Sequence, residues 1–281
     1  MARRRLDAEL VRRSMARSRE HARELIEASA VKVKGAVATK AATQVDDSDP
    51  IVVDESAADH YVSRGAHKLI GALAAFDGIE VAGRDCLDAG ASTGGFTQVL
   101  LERGAARVLA VDVGYGQLAW PLRTDERVTT MDRTNVRGLA AADVPFRPSL
   151  IVADLSFIPL EIVLPALQDV ALPVADLLVM VKPQFEVGRE AVGDGVVRDP
   201  ELRRSAVLGV ARAAAALGLT VHGVAASPLP GPSGNVEYFL WLRAGREPGD
   251  PGRGGESGAD AGLVGQDVEA AVQAAVAKGP Q

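Results

Sequence analysis

Three glycines fall within six residues in the stretch Asp88-Ala-Gly-Ala-Ser-Thr-Gly-Gly-Phe-Thr97. Glycines this close together let a backbone come near a ligand, and the residues around them decide which ligand. Gly90, Gly94 and Gly95 are spaced G-x-x-x-G-G rather than the G-x-G-x-x-G of a dinucleotide site, and Phe96 stands where a Walker loop needs lysine. Neither Arg nor Lys lies in the turn to meet a phosphate. Asp88 offers a carboxylate instead, which suits a cation or an amino group such as the sulfonium and α-amino end of S-adenosylmethionine. A helix N-terminus at 95–97 can receive that molecule's carboxylate, with Ser92, Thr93 and Phe96 completing the turn. Asp112 follows Asp88 by 24 residues, where an acid commonly accepts both ribose hydroxyls. Asp132, at the next strand end, can take the adenine amino group, and Asp154 completes the set of cofactor-binding candidates. One such aspartate alone reads as a helix cap or loop residue. Three in order at successive strand ends beside a glycine turn are hard to explain as caps.

The methyl acceptor is narrowed by what stands near Asp154-Leu-Ser-Phe157. The Asn/Asp-Pro-Pro-Tyr/Phe motif of enzymes that methylate exocyclic base nitrogens is absent there. A C5-pyrimidine methylase needs a thiolate nucleophile, and Cys86 lies inside a strand, two residues before Asp88. Two lysines stand out instead. Lys182 interrupts the apolar run Leu177-Leu-Val-Met-Val181 and precedes Pro183, so it projects from the C-terminal end of a central strand, where ligands sit in such sheets. Lys68 lies early in a helix, in Ser63-Arg-Gly-Ala-His-Lys68, and Glu237 can reach the same cleft as Asp154. A sugar hydroxyl is a very weak acid, so its methylation benefits from a base. A lysine serves where desolvation and a second cation depress its pKa to about 7–8. Lys68 supplies that second charge, and the two carboxylates orient the amines.

These residues need a scaffold, and the pattern from residue 64 supplies one. Strands at 84–88, 107–112, 127–131, 149–154 and 177–182 alternate with helices at 66–76, 95–103, 115–120, 159–169 and 200–217. Such alternation implies a doubly wound parallel α/β sheet. Strands at 219–226 and 236–242 have only the loop Pro228-Leu-Pro-Gly-Pro-Ser-Gly-Asn235 between them, which suggests a closing antiparallel hairpin. Upstream, helices at 6–13 and 18–28, the second capped by Ser18, precede strands at 30–34, 37–45 and 51–53, with a linker at 54–62. The expected division is a small α+β head at 1–60, the doubly wound domain at 61–244, and a tail at 245–281. The tail is expected to be disordered at 245–263, with a short helix at 266–277.

Charge divides the chain in the same way. Residues 1–40 hold eleven Lys+Arg against five Asp+Glu, a balance of +6, while the whole chain carries −6, which leaves −12 on the remainder. A basic module on an acidic body suggests nucleic-acid binding by the head. Arg5, Arg19 and Lys40 are its candidate contacts, with Arg64 and Arg133 at the body's cleft rim. One cysteine and four histidines give neither a disulfide framework nor metal-ligand spacing. No stretch approaches the roughly 18–20 apolar residues of a membrane helix, so a cytoplasmic protein without membrane contact is expected.

Together, SRGAHKL at 63–69, LDAGASTGGFT at 87–97, VDVGYGQL at 111–118, ADLSFI at 153–158, VKPQFEVG at 181–188 and PLPGPSGNVEYFLWL at 228–242 resemble the TlyA (hemolysin A) family of ribosomal RNA cytidine 2′-O-methyltransferases. Lys68, Asp154, Lys182 and Glu237 match the Lys-Asp-Lys-Glu tetrad of FtsJ-like ribose methyltransferases. The resemblance implies a Rossmann-like class I methyltransferase sheet behind an S4-like RNA-binding domain. It also implies S-adenosylmethionine as cofactor and ribosomal RNA within subunits as substrate. The linker departs from the family pattern, with Asp59 and Tyr61 where Arg and Trp often stand, which puts any coupling role of those two residues in doubt. A membrane-lytic protein and a catalytically dead RNA binder are the rival readings. The first lacks a spanning or amphipathic segment, and the complete tetrad argues against the second.

Overall fold

The computed structural model describes residues 3–16, 18–27, 29–53, 60–188, 192–231, 234–245 and 262–279. The chain divides into two units, Met1–Arg64 and Gly65–Gln281.

In the first unit, β1 (Arg4–Arg5), α1 (Leu6–Arg12) and α2 (Arg19–Glu27) precede β2 (Val31–Val33), β3 (Ala36–Val37), β4 (Gln44–Val45) and β5 (Ile51–Val53). Ser18 caps α2, its hydroxyl accepting the His21 N–H at 3.1 Å. β1 pairs with β4, and β2 lies between β3 and β5. Leu6, Leu10, Leu25, Ile26, Val31 and Ile51 meet in one small core. The strand expected across 37–45 is broken, because Thr43 turns back and bonds the Lys40 carbonyl through both its N–H and its hydroxyl. Asp7 and Glu9 on α1 are fully buried and held by arginines. Asp7 accepts from Arg5 at 3.1 Å and Arg19 at 3.0 Å, and Glu9 from Arg13 at 2.7 Å and Arg12 at 2.5 Å. These hydrogen bonds hold both carboxyls well below their usual range, at about 2.

The second unit is built on a seven-stranded sheet. Its strands are β6 (Asp85–Ala89), β7 (Arg107–Val111), β8 (Val128–Met131), β9 (Leu150–Ala153), β10 (Asp176–Val181), β11 (Thr220–Ala226) and β12 (Tyr238–Arg243), in the order β11-β12-β10-β9-β6-β7-β8. β6 to β10 run parallel, and β12 is antiparallel to both of its neighbours. The antiparallel hairpin expected at the end of the sheet is therefore present, with its second strand inserted next to the parallel set. The chain winds outward from β6 through β7 to β8, then returns to the other side of β6 as β9. Ligands bind outside the carboxyl ends of the strands at such a switch point.

Around the sheet lie α3 (Gly65–Ala75), α4 (Gly95–Glu102), α5 (Trp120–Arg123), α6 (Leu160–Val170), α7 (Pro183–Glu186) and α8 (Pro200–Ala216). The helix expected at 115–120 begins only at Trp120. Gly116 takes a left-handed φ of +64°, and Pro121 supplies the first turn of the helix instead. The tail contributes more than expected. Residues 246–261 lie outside the described residues, but Leu263 bridges to Val221, and α9 (Gln266–Lys278) buries Val272, Ala275 and Val276 in the main core. Of the linker, residues 54–59 lie outside the described residues; Tyr61 packs against the His60 ring at 4.0 Å.

Candidate active site

Asp112, Asp132, Asp154 and Lys182 are each the first residue beyond a parallel strand: β7, β8, β9 and β10. Pro183 favours extended backbone at Lys182, which has φ −112° and ψ 100°. The side chain is thereby carried forward from the sheet. Its Nζ lies 2.5 Å from Asp154 Oδ1 and donates a hydrogen bond to Ser156 Oγ at 2.9 Å. The nearby Lys68 Nζ–Glu237 Oε2 ion pair spans 2.6 Å, and both residues are buried. Two close packings bring that pair together. A Cβ on Gly71 would lie 2.5 Å from the Pro228 ring, so this glycine lets α3 seat against the loop after β11. A Cβ on Gly231 would lie 2.5 Å from Glu237 Oε1, so glycine there leaves the carboxylate its room beneath the loop. Val181 faces Tyr238 across β10 and β12, and Lys182 and Glu237 come next in that register. The four expected residues thus form two ion pairs, each amine with its own carboxylate.

A cavity of about 690 Å³ opens beside Asp154. Of the candidates for cofactor binding, Gly90, Ser92, Asp112 and Asp154 line it. Asp112 accepts backbone N–H groups from Ser92 at 2.8 Å and Gly114 at 2.7 Å, and each oxygen keeps a lone pair for a further donor. Val113, Val136, Ile162 and Val163 supply apolar walls. Acidic groups among apolar walls fit a sugar-bearing, cationic ligand of nucleoside type, and the volume lies within the usual range for small-ligand pockets.

Asp88 departs from expectation. It is the penultimate residue of β6 rather than its end, so its side chain turns inward and is fully buried under the first turn of α4. Thr97 donates its hydroxyl to Oδ2 at 2.7 Å, while Oδ1 has no partner among the described residues. Burial, reinforced by the Asp154 carboxylate, pushes its pKa up to about 7 against the Thr97 hydrogen bond. The residue does not line the cavity, so it braces the glycine turn from below. Thr93, Gly94, Gly95 and Phe96 also lie off the lining. Gly94 has φ +103° and accommodates Leu118 and Leu122, and Phe96 packs inward near Phe239. Gly90, at φ +85°, is required by the fold itself: a Cβ there would lie 2.5 Å from the Asp154 carbonyl oxygen.

Asp132 departs as well. Its Oδ2 accepts from Arg123 at 3.0 Å and from the Gly116 N–H at 3.2 Å, which lowers its pKa. Arg133, at φ +55°, turns the chain so that Thr134 to Arg137 line the cavity in its place. Sequence reasoning missed these residues, along with Gln117, Ser156 and Glu186. Only Ser156 left a signal, as a hydroxyl two places after the acid. Glu186 on α7 accepts the Leu160 N–H at 3.0 Å, fixing the start of α6 beside the turn that follows Lys182. Cys86 is buried, which pushes its thiol up to about 12 and removes it as a nucleophile. Among the described residues, no group of His, Cys, Asp or Glu could hold a metal ion.

The RNA candidates fall in unlike settings. Arg5 and Arg19 share Asp7, Lys40 is exposed, and Arg64 is half-buried. Exposed Arg133 lies over the Tyr115 ring at 4.3 Å.

A family model for FtsJ-like methyltransferases matches residues 61–244, and one for the S4 domain matches residues 4–51. The chain is 57% identical to the 16S/23S rRNA (cytidine-2'-O)-methyltransferase TlyA of Mycobacterium tuberculosis, over 100% of both chains. It is 39% identical to the 23S rRNA (cytidine-2'-O)-methyltransferase TlyA of Campylobacter jejuni, over 64% of this chain and 70% of that one. A solved structure of a hemolysin-named protein from Streptococcus thermophilus superposes with a TM-score of 0.74 at 34% identity, covering 99% of this chain and 96% of that one. Among the described residues, no helix is long and apolar enough to cross a membrane.

Proposed function

The chain belongs to the TlyA family, an S4 domain joined to an FtsJ-like methyltransferase domain, and from that premise we propose that it methylates the ribose 2′-hydroxyl of cytidine in ribosomal RNA. S-adenosylmethionine is the methyl donor in this reading, and when bound it supplies an electrophilic methyl group on a sulfonium. Asp112 accepts its ribose hydroxyls, Gly90 and Ser92 bound its methionine end, and the walls at Val113, Val136 and Ile162 enclose the adenine.

The observation that carries the reading is Lys182, held beside Asp154 and Ser156 at the edge of the cavity. As the new O–C bond forms and the S–C bond breaks, the proton of the ribose hydroxyl passes to Lys182 Nζ. Asp154 then faces a lysine that has gained positive charge, which stabilises the transition state. Lys68 and Glu237 form the adjoining buried wall. Arg5, Arg19, Lys40, Arg64 and Arg133 grip phosphates, with the S4 domain as the address for the ribosomal subunit. The large-subunit RNA is the expected target. The small-subunit RNA is a second one, because the Mycobacterium tuberculosis relative carries both in its name.

Transfer of tritiated methyl groups to unmodified subunits tests the reading, with the labelled nucleotide located in the RNA. Label on a cytidine ribose in either subunit supports it. Label on a base, or none on RNA of either subunit, overturns it.

A further inference from the structure

We infer that Ser156 is a positioning residue for methyl transfer, accepting an N–H of Lys182 and so fixing the direction in which Nζ faces the ribose hydroxyl. The inference rests on the reading of Lys182 as the base. A neutral amine has two hydrogens and one lone pair, and a lysine side chain turns freely about its last bonds. A base in that state is useful only when something fixes where its hydrogens go. Asp154 Oδ1, at 2.5 Å from Nζ, pairs with the amine as an ion pair. Ser156 Oγ accepts a directional hydrogen bond from the same Nζ at 2.9 Å. The serine therefore gives the amine a direction, and the carboxylate stabilises the charge that the amine gains on taking the proton.

Ser156 is itself held from both sides. The Asp154 N–H donates to the Ala89 carbonyl at 3.0 Å, anchoring the segment to β6. Glu186 takes the Leu160 N–H at 3.0 Å at the other end. Between them Phe157 adopts φ +67°, a left-handed conformation that a phenylalanine occupies only where its surroundings impose it. The segment Asp154 to Pro159 also lines the cavity, so the serine stands between the amine and the space for the methyl donor. The reaction balances without any group from Ser156. The ribose proton ends on Nζ, the methyl group on the ribose oxygen, and the serine keeps its own proton.

The test compares Ser156→Ala and Ser156→Thr with wild type in the full-length protein on unmodified ribosomal subunits. Single-turnover rates, cofactor affinity by calorimetry and thermal unfolding are the readouts. Ser156 is exposed, so removing its oxygen leaves the fold intact. Ser156→Ala should lose rate on the order of 10- to 100-fold, the scale of a misplacement of about 1 Å, with cofactor affinity and RNA KM unchanged. Ser156→Thr, which keeps the hydroxyl, should recover most of the rate. A wild-type rate in Ser156→Ala overturns the inference. So does a rate loss matched by lost cofactor affinity, or a Thr variant as slow as the Ala variant at unchanged Tm. Absence of transfer by the wild-type protein would overturn the functional reading itself, and this inference with it.

Discussion

Glu186 Oε1 accepts the backbone N–H of Leu160 at 3.0 Å, joining the turn that follows Lys182 to the helix that follows Asp154. Burial pushes this carboxyl up to about 7 from 4.5, with the Glu161 charge adding to the effect. The sign follows from linkage. The unfolded chain releases the proton near 4.5 and the folded chain only near 7, so the stabilising contribution is complete below 4.5 and is lost as pH rises to 7. Glu186→Gln keeps an oxygen acceptor for Leu160 and cannot titrate. Denaturant midpoints at pH 5 and pH 8 should therefore lie closer together in Glu186→Gln than in wild type. An unchanged gap would remove Glu186 from the pH response.

Asp88, inside the sheet, responds to pH in the same direction as Glu186. Its carboxyl, raised to about 7, also loses stabilising effect as pH rises from the ordinary aspartate range towards neutrality. As a brace for the glycine turn, it tolerates an amide: Asp88→Asn should bind the methyl donor with nearly wild-type affinity and gain stability at pH 8. Calorimetry separates this from a direct contact with the donor's amino group. Lost charge pairing of that kind costs about 2–5 kcal/mol, which would weaken binding by well over tenfold.

Lys182→Ala should lower turnover by about 10²–10⁴-fold, the usual contribution of a general base, and leave cofactor affinity nearly unchanged. Single-turnover rates and calorimetry on the same preparation give both numbers. Near-normal turnover in this variant would sink the assignment of the base.

The Lys68–Glu237 pair answers differently, because both groups are buried. Glu237→Gln leaves a buried ammonium without its counter-charge, which costs about 3–5 kcal/mol, whereas replacing both partners with apolar groups costs far less. Lys68→Met combined with Glu237→Leu should therefore unfold at a higher temperature than Glu237→Gln alone, and both should lack activity. A double variant no more stable than the single one would mean that the pair contributes little to the fold.

How far the site was legible depends on what fixed each residue. The first residue after a strand could be found, because apolar runs end visibly; Asp112, Asp154 and Lys182 were located that way and line or adjoin the cavity. The end of β6 was expected at Asp88, but the strand continues to Ala89, and the Asp88 carboxylate is buried. Asp132 does end its strand as expected, but its pairing with Arg123, nine residues earlier, was not visible in the sequence. Lys68 and Glu237 lie 169 residues apart in the chain; the sequence placed both at one cleft, but not that each would be the other's partner. Helix α9 was expected only as a short helix at 266–277; its alanines and valines carried no sign of the apolar surface waiting on β11 and α8.

The balance of +6 over residues 1–40 counts arginines that are already engaged. Arg5 and Arg19 bind Asp7, and Arg12 and Arg13 bind Glu9. Removing Arg19 therefore acts on two things at once, a phosphate contact and the support of a buried carboxylate. Exposed Lys40 holds no such place in the core, and Lys40→Gln should weaken subunit binding without changing Tm. Each lost phosphate contact flattens the log–log salt dependence of affinity by roughly 0.7–0.9. Arg19→Ala should flatten it as much and also lower Tm, because Asp7 loses part of its support. Asp7 and Glu9, held at about 2, lend stability that is present above the ordinary carboxyl range and is lost as pH falls towards 2, so the Arg19→Ala deficit should shrink in acid. Binding titrations to ribosomal subunits between about 0.05 and 0.2 M salt measure the slopes. A slope for Lys40→Gln equal to that of wild type would mean that this lysine touches no phosphate. If the slope also persisted in a chain lacking residues 1–60, the address for RNA would lie in the methyltransferase domain.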